Sequence, residues 1–162
     1  MGQLADRLDA IRVRARMPGV DIEVELRDRT DVRISFGESV YGFLTENRLQ
    51  YYLAGLARLL YAAWLRQYRA AIDDSALDVD PHDRRDHEFL DARAAVESGG
   101  ASTDARIVIT AVGMREIEVR IAPGTVRKLT EDQFSARTAE AVTALIQDHL
   151  SQVRALKTRF YG

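Results

Sequence analysis

The chain of 162 residues contains no cysteine. Disulfide bonds, thiolate metal sites and cysteine nucleophiles are therefore excluded, and a reducing compartment is the natural setting for the protein. Long apolar runs are missing too, because no stretch approaches the roughly 18 residues that a membrane-spanning helix needs. The segment from Met1 to Asp6 becomes polar at once and lacks the apolar core of a signal peptide. We expect a soluble cytoplasmic protein without a membrane partner.

The sequence also has no excess of one charge, since it contains 23 basic and 25 acidic residues. General nucleic-acid binders usually carry a strong basic excess. The balance lowers that expectation for the chain as a whole, but it leaves local basic patches open.

The motifs of common catalytic sites are missing as well. The sequence has no GxSxG elbow, no GxGxxG and no Walker-type glycine loop. His87 and Glu88 begin the HExxH signature of zinc proteases, but Asp91 stands where the second histidine is required. The acidic stretch 73–83 lacks the spaced oxygen ligands and the fixed glycine of a calcium loop. We therefore expect a non-enzymatic protein with no metal, no cofactor and no small-molecule substrate.

What the chain does contain is its own pattern, repeated at one constant offset. Residues 31–72 fall on residues 116–157 without a gap, so that Leu44-Thr45-Glu46 meets Leu129-Thr130-Glu131. Strand-type and helix-type periodicity recur at this single offset, which predicts two copies of one unit that cover each other. The predicted divisions are a first repeat over 1–72, an acidic linker over 73–83 and a second repeat over 84–162, with one shared core.

Periodicity predicts the order helix, hairpin, helix in each copy. Amphipathic spacing favours helices over 3–16 and 85–98, and strict alternation favours hairpins over 22–36 and 107–121. Residues 98–102 are expected to form a flexible loop or a frayed strand. Threonine N-caps at Thr45 and Thr130 begin two long helices, over 46–72 and from 131 to about 159, the second with a capping box to Gln133. The fold class is therefore α+β, with antiparallel sheets.

The helix over 46–72 is apolar on more than one face, which indicates burial on more than one side. Our interpretation is that its aromatic residues contribute to the core and to an interface with a protein partner or a second copy. An exposed aromatic groove for a partner peptide or unstacked bases is the alternative. The candidate interface residues are Tyr51, Tyr52, Tyr61, Trp64 and Tyr68.

Basic residues gather toward the ends of the predicted helices. Cations there complement the carbonyl end of the helix dipole, which is sufficient to explain each of them singly. If the helix ends project together, they form a local anion-binding rim. The three groups are Arg12, Arg14 and Arg16; Arg66 and Arg69; and Arg154, Lys157 and Arg159.

The second copy resembles the YbaB/EbfC family over about residues 85–159. The resemblance is carried by a hairpin with a glycine turn at Gly113, an alanine-bearing helix, and the runs Ile107-Val108-Ile109, Val119-Arg120-Ile121-Ala122-Pro123 and Leu129-Thr130-Glu131. The first copy matches only at the level of pattern, since Glu38 replaces the proline and its long helix is aromatic.

The resemblance implies a dimer-like α+β protein with projecting helices, here built as a pseudo-dimer within one chain. The family is regarded as nucleoid-associated and DNA-binding, so the candidate DNA-binding residues are Arg66, Arg69, Arg154, Lys157 and Arg159. YbaB-like proteins also accompany actinobacterial type VII secretion systems. A protein-interaction or chaperone module that uses the helix over 46–72 is therefore the alternative function.

Overall fold

The computed structural model describes residues 2–75 and 77–162. In chain order the elements are α1 (Gly2–Asp9), β1 (Val13–Arg16), β2 (Ile22–Arg27), β3 (Asp31–Phe36), a 3-10 turn (Tyr41–Phe43), α2 (Glu46–Asp73), α3 (Arg84–Ala94), β4 (Glu97–Ala101), β5 (Ile107–Val112), β6 (Glu116–Ile121), α4 (Thr125–Lys128) and α5 (Glu131–Tyr161). The strands form two antiparallel sheets, β1-β2-β3 and β4-β5-β6. The predicted α+β class, with antiparallel sheets and long helices, is confirmed.

The bounds of these elements repeat at the offset found in the sequence. The shift that carries β2 onto β5 also carries β3 onto β6, and both ends of each strand coincide. The threonine before each long helix accepts a hydrogen bond from the third helical N–H, and the capping box at Thr130 is present. Positive φ angles recur at the same offset, pairing Asp28 with Gly113, Arg29 with Met114 and Ser39 with Gly124. Both hairpins thus turn through two successive left-handed residues.

Each long helix packs on strands from both halves of the chain. α2 lies against β1, β2 and β6, and α5 lies against β4, β5 and β3. Their buried side chains, among them Leu49, Leu56, Phe134 and Leu145, belong to one hydrophobic cluster that draws on both sheets. The reciprocal packing explains why neither unit covers its apolar face alone.

Hydrogen bonds tie the two halves together at the start of α2. The Tyr41 hydroxyl donates to the Leu129 carbonyl at 2.9 Å. The side chain of Gln50 accepts from the Ile121 N–H at 2.8 Å, and that of Glu46 accepts from the Gly124 N–H at 3.1 Å. Burial, with the Glu46 and Glu131 carboxylates nearby, raises the pKa of Tyr41 to about 12. The beginning of α2 is therefore held rigidly against β6 and the turn that follows it.

The predicted helix over 3–16 is wrong after its first half. α1 ends at Asp9, and Val13–Arg16 forms a strand whose Val13 and Ala15 are buried. Arg14 and Arg16 do not close a helix; their side chains reach Glu25 and Glu23 on β2, at 2.7 and 3.1 Å. Arg12 likewise pairs with Glu25. In the folded chain, pairing with β2 outweighs the weak helical pattern of this segment. The sequence does not reveal the strand, because four residues are too few to show its period.

The predicted helix over 85–98 also ends early, at Ala94, and Glu97–Ala101 is a fully paired strand. The order in each half is therefore helix, three strands, helix. Gly100 allows β4 to pack closely under α5. A Cβ on Gly100 would lie 2.3 Å from the Ala141 carbonyl oxygen and 2.3 Å from the Leu145 nitrogen of α5. Close approach of the helix backbone selects glycine here, although glycine disfavours a strand.

Candidate nucleic-acid interface

Helix α2 carries a long basic face. No acidic residue occurs between Glu46 and Asp73, whereas four arginines do: Arg48, Arg58, Arg66 and Arg69. Their spacing places them within an arc of about 80° on an α-helix, over an axial distance of about 31 Å. All four are exposed. We call these residues the arginine face of α2.

The arginines of this face are free of ion pairs. Among the residues that the structure describes, no carboxylate oxygen lies within 4.0 Å of any of the four. The arginines of the first sheet differ, because Glu23, Glu25 and Asp31 bind them across the strands. An unpaired guanidinium offers its donors to an incoming anion without first breaking a salt bridge.

The sequence pattern identifies Arg66 and Arg69 but misses Arg48 and Arg58. The missed residues lie in the first half of α2, away from the helix end that the dipole argument singles out. The signal that identifies them is the acid-free interval of the sequence, read together with the helical spacing of the arginines. The exposed basic surface therefore extends along the whole length of α2 and is not confined to the end of the helix.

The other predicted group lies on α5. Arg154, Lys157 and Arg159 are exposed and make no ion pair within the described part of the chain. The end of α5 packs on α3, where Tyr161 donates a hydrogen bond to Asp86, while the end of α2 packs on α1. In the described ranges no hydrogen bond or ion pair joins the two basic groups. That the basic groups of α2 and α5 together form one anion-binding rim stays a prediction.

The middle of α5 differs from that of α2 in its charged residues. Glu140 and Asp148 interrupt its basic residues, and His149 occupies the position equivalent to Trp64. Burial is the main reason why the pKa of His149 lies below its ordinary value of 6.5; Arg93 lowers it further, whereas Asp148 opposes the shift. Burial therefore disfavours the charged form of His149. The acid-free interval of α2 covers residues 47–72, whereas that of α5 is confined to residues 149–161.

The five predicted interface aromatics differ in how far they are buried. Tyr61, Trp64 and Tyr68 form a stack, with ring centroids 6.2 and 5.1 Å apart and interplanar angles of 19° and 22°. Tyr52, Trp64 and Tyr68 are half-buried against the core. Tyr51 alone is largely open, with 70% of its surface exposed. Tyr52, Trp64 and Tyr68 are therefore part of the packing, and the predicted interface with a partner or a second copy stays a prediction.

A second open ring was not among the predicted interface residues. Phe43, on the 3-10 turn just before α2, is 83% exposed. It is the largest fractional exposure of any large apolar residue in the described ranges. No local pattern indicates this, because Phe43 and the buried Tyr41 are separated by a single glycine and differ only in the direction they face.

An open cleft of about 730 Å³ lies beside Arg58, between α2 and the second hairpin. Its lining includes Arg115 together with Glu97, Glu116 and Glu118. Charges of both signs line it, so the cleft by itself favours neither anions nor cations. Arg58 therefore shares this cleft with three glutamates of the second sheet.

Over residues 2–75 and 77–162 the structure places no group of three or more metal-ligating side chains together. Nor does any helix within these ranges combine the length and apolar character that crossing a bilayer demands. The chain matches no protein-family model, and no characterised protein or solved structure matches it either.

Proposed function

We propose that this protein binds duplex DNA through the arginine face of α2, in a nucleoid-associated role such as the YbaB/EbfC resemblance implies. The observation that carries the proposal is the acid-free interval of α2, in which Arg48, Arg58, Arg66 and Arg69 are exposed and have no ion-pair partner among the residues that the structure describes. Phosphate contacts require free cations at the surface, and they do not require a positive total charge. The net charge of −2 is therefore compatible with a local basic site.

The proposal has a quantitative consequence for the salt dependence of binding. Each phosphate neutralised on duplex DNA contributes about −0.9 to the slope of log K against log salt concentration. Four arginines in contact with phosphates therefore contribute about −3.6 to that slope. Because the contacts are to the backbone, binding is expected to be insensitive to DNA sequence.

Fluorescence anisotropy with a labelled duplex, titrated at salt concentrations from about 50 to 300 mM, tests this. Replacing Arg48, Arg58, Arg66 or Arg69 with alanine should each reduce the steepness of the slope by about 0.9. Arg16→Ala and Arg120→Ala are matched controls, since both remove an exposed arginine that a glutamate already pairs. Equal effects of the control and the α2 variants would contradict the proposal, as would the absence of binding at the lowest salt.

The basic end of α5 is a second, weaker contributor in this proposal. Arg154, Lys157 and Arg159 are free to contact phosphate, but the neighbouring α3 carries Asp86, Glu88 and Asp91. Nearby carboxylates repel DNA and reduce the gain from each contact. Alanine replacement of the three should therefore change the salt slope less than replacement of three arginines of α2. The reverse order would transfer the site to α5.

A protein-interaction or chaperone role, such as an accessory to type VII secretion, is the second candidate. The stacked rings of Tyr61, Trp64 and Tyr68 favour it, because they lie half-exposed along one flank of α2. Partner or self-association interfaces are enriched in such aromatic residues. Tyr61→Ala and Trp64→Ala should then abolish co-purification of a protein partner, or dissociate a homo-oligomer in sedimentation, while thermal melting shows a folded chain. Variants that merely unfold would identify these rings as core residues.

A further inference from the structure

Two aromatic rings, one just before α2 and one near its beginning, leave most of their surface in water. Phe43 is 83% exposed and Tyr51 is 70% exposed. In the described ranges the Tyr51 ring meets one other aromatic ring, that of Tyr52, at 5.8 Å and 66°. Large apolar side chains that leave most of their surface in water contribute little to folding.

The backbone under these rings is held firmly. Phe43 lies between Tyr41, which is 7% exposed, and the N-cap Thr45. The N–H of Phe43 donates to the Val40 carbonyl at 3.1 Å, within the 3-10 turn. Tyr51 stands on α2 between the buried residues Leu49 and Leu53. Rings presented from fixed backbone lose little conformational freedom when they bind a ligand.

The arginine face begins between the two rings in the sequence. Arg48 lies after Phe43 and precedes Tyr51 by about one helical turn, and it is exposed and unpaired within residues 2–75 and 77–162. Open aromatic rings alternating with free guanidinium groups are the arrangement by which proteins hold unpaired strands, with bases stacked on rings and phosphates bound to cations. In a duplex the bases are stacked on each other, so the rings would have nothing to receive.

We propose that Phe43 and Tyr51 form a base-stacking platform, and that the protein therefore binds single-stranded DNA more tightly than duplex DNA. The proposal rests on the DNA-binding function proposed above and names the form of DNA that the same surface prefers. Stacking is tolerant of sequence because every base has a π-face. The preference is thus for strandedness and not for a base motif.

The test compares a labelled oligothymidine of about 20 nucleotides, long enough for several arginine contacts, with its duplex on oligodeoxyadenosine. Phe43→Ala and Tyr51→Ala are each expected to weaken binding to oligothymidine about tenfold. Affinity for the duplex should be unchanged in both variants. The salt slope for oligothymidine should also stay the same, because neither variant removes a charge.

Two further variants keep the result interpretable. Tyr51→Phe retains the ring and should bind oligothymidine as the native chain does. Leu150→Ala removes another exposed apolar side chain, 41% exposed on α5, and should have no effect. Since Phe43 and Tyr51 are mostly exposed, their alanine variants should melt at the native temperature.

The outcomes separate the two proposals. Duplex bound as tightly as the single strand, or equal losses for both in Phe43→Ala and Tyr51→Ala, overturns the stacking platform while the arginine variants still report DNA binding. If neither DNA form binds with a salt-dependent affinity, the proposed function itself fails and the platform fails with it.

Discussion

Replacing Gly100 with alanine tests the packing of α5 on β4 directly. The new Cβ would lie 2.3 Å from the Ala141 oxygen and 2.3 Å from the Leu145 nitrogen, and 2.9 Å from the Ala144 carbonyl carbon. All three are backbone atoms, so no side chain can turn aside. Because carbon contacts are optimal at about 3.5–4.0 Å, the helix must retreat from the strand by about 1 Å or more. It would carry the buried residues Ala141 and Leu145 with it.

Overpacking of this kind costs about 1–3 kcal/mol, and a rigid backbone places Gly100→Ala at the upper end. We expect the free energy of unfolding to fall by about 3 kcal/mol, which lowers Tm by about 6–12 °C for a domain of this size. Gly99→Ala is the matched control, since its Cβ would meet the Ile109 oxygen at 3.7 Å and the Thr110 Cγ2 at 3.8 Å, both ordinary contacts. That variant should change stability by less than about 1 kcal/mol, with a gain if only the unfolded chain is restricted.

Urea denaturation followed by circular dichroism measures both variants. Because residues of both halves share one core, each variant should unfold in a single transition, with a shifted midpoint and an unchanged slope. Equal stabilities for Gly100→Ala and Gly99→Ala would refute the claim that backbone contact selects glycine at this position. Two separate transitions would refute the shared core.

Three further predictions concern stability. Thr130→Ala removes the capping box of α5 and should lower the free energy of unfolding by about 1 kcal/mol in urea denaturation, whereas Thr158→Ala, an exposed threonine within the same helix, should lower it by less. Tyr41→Phe leaves the Leu129 carbonyl without its 2.9 Å donor and should cost about 1–2 kcal/mol in the same assay; an unchanged midpoint would show that the two halves do not depend on this hydrogen bond. The folded-state pKa of His149 lies below 6.5, so the unfolded chain takes up the proton first as the pH falls; stability should be complete above about pH 6.5 and decline below it. His149→Gln should flatten this part of a Tm-against-pH curve, and a curve identical to that of the native chain would exclude His149 as the cause.

The sequence alone determined the features that depend on local periodicity. The constant offset between the two halves, both hairpins, the threonine caps and the two long helices were all predicted, and the structure has them. Alternation and helical spacing are written into neighbouring residues, and a capping threonine acts within one turn of helix. Strand β1 escaped prediction because it is short, and the segment of β4 was expected only as a flexible loop or a frayed strand because it contains two adjacent glycines. For β4 the third dimension decides. Its conformation is imposed by pairing with β5 and by the helix that lies on it.

The candidate site shows the same division. The sequence identified a basic and aromatic helix over 46–72, but it could not tell free arginines from neutralised ones. Arg14 and Arg66 look alike in one dimension; strand register brings Glu25 to the first, and nothing comparable lies near the second among the described residues. Nor could it tell Tyr51 from Trp64, because exposure depends on what the opposite half of the chain brings to each flank of α2. Local spacing fixes which residues share a helix face, whereas only the packing of the two halves decides which of them stay open to a ligand.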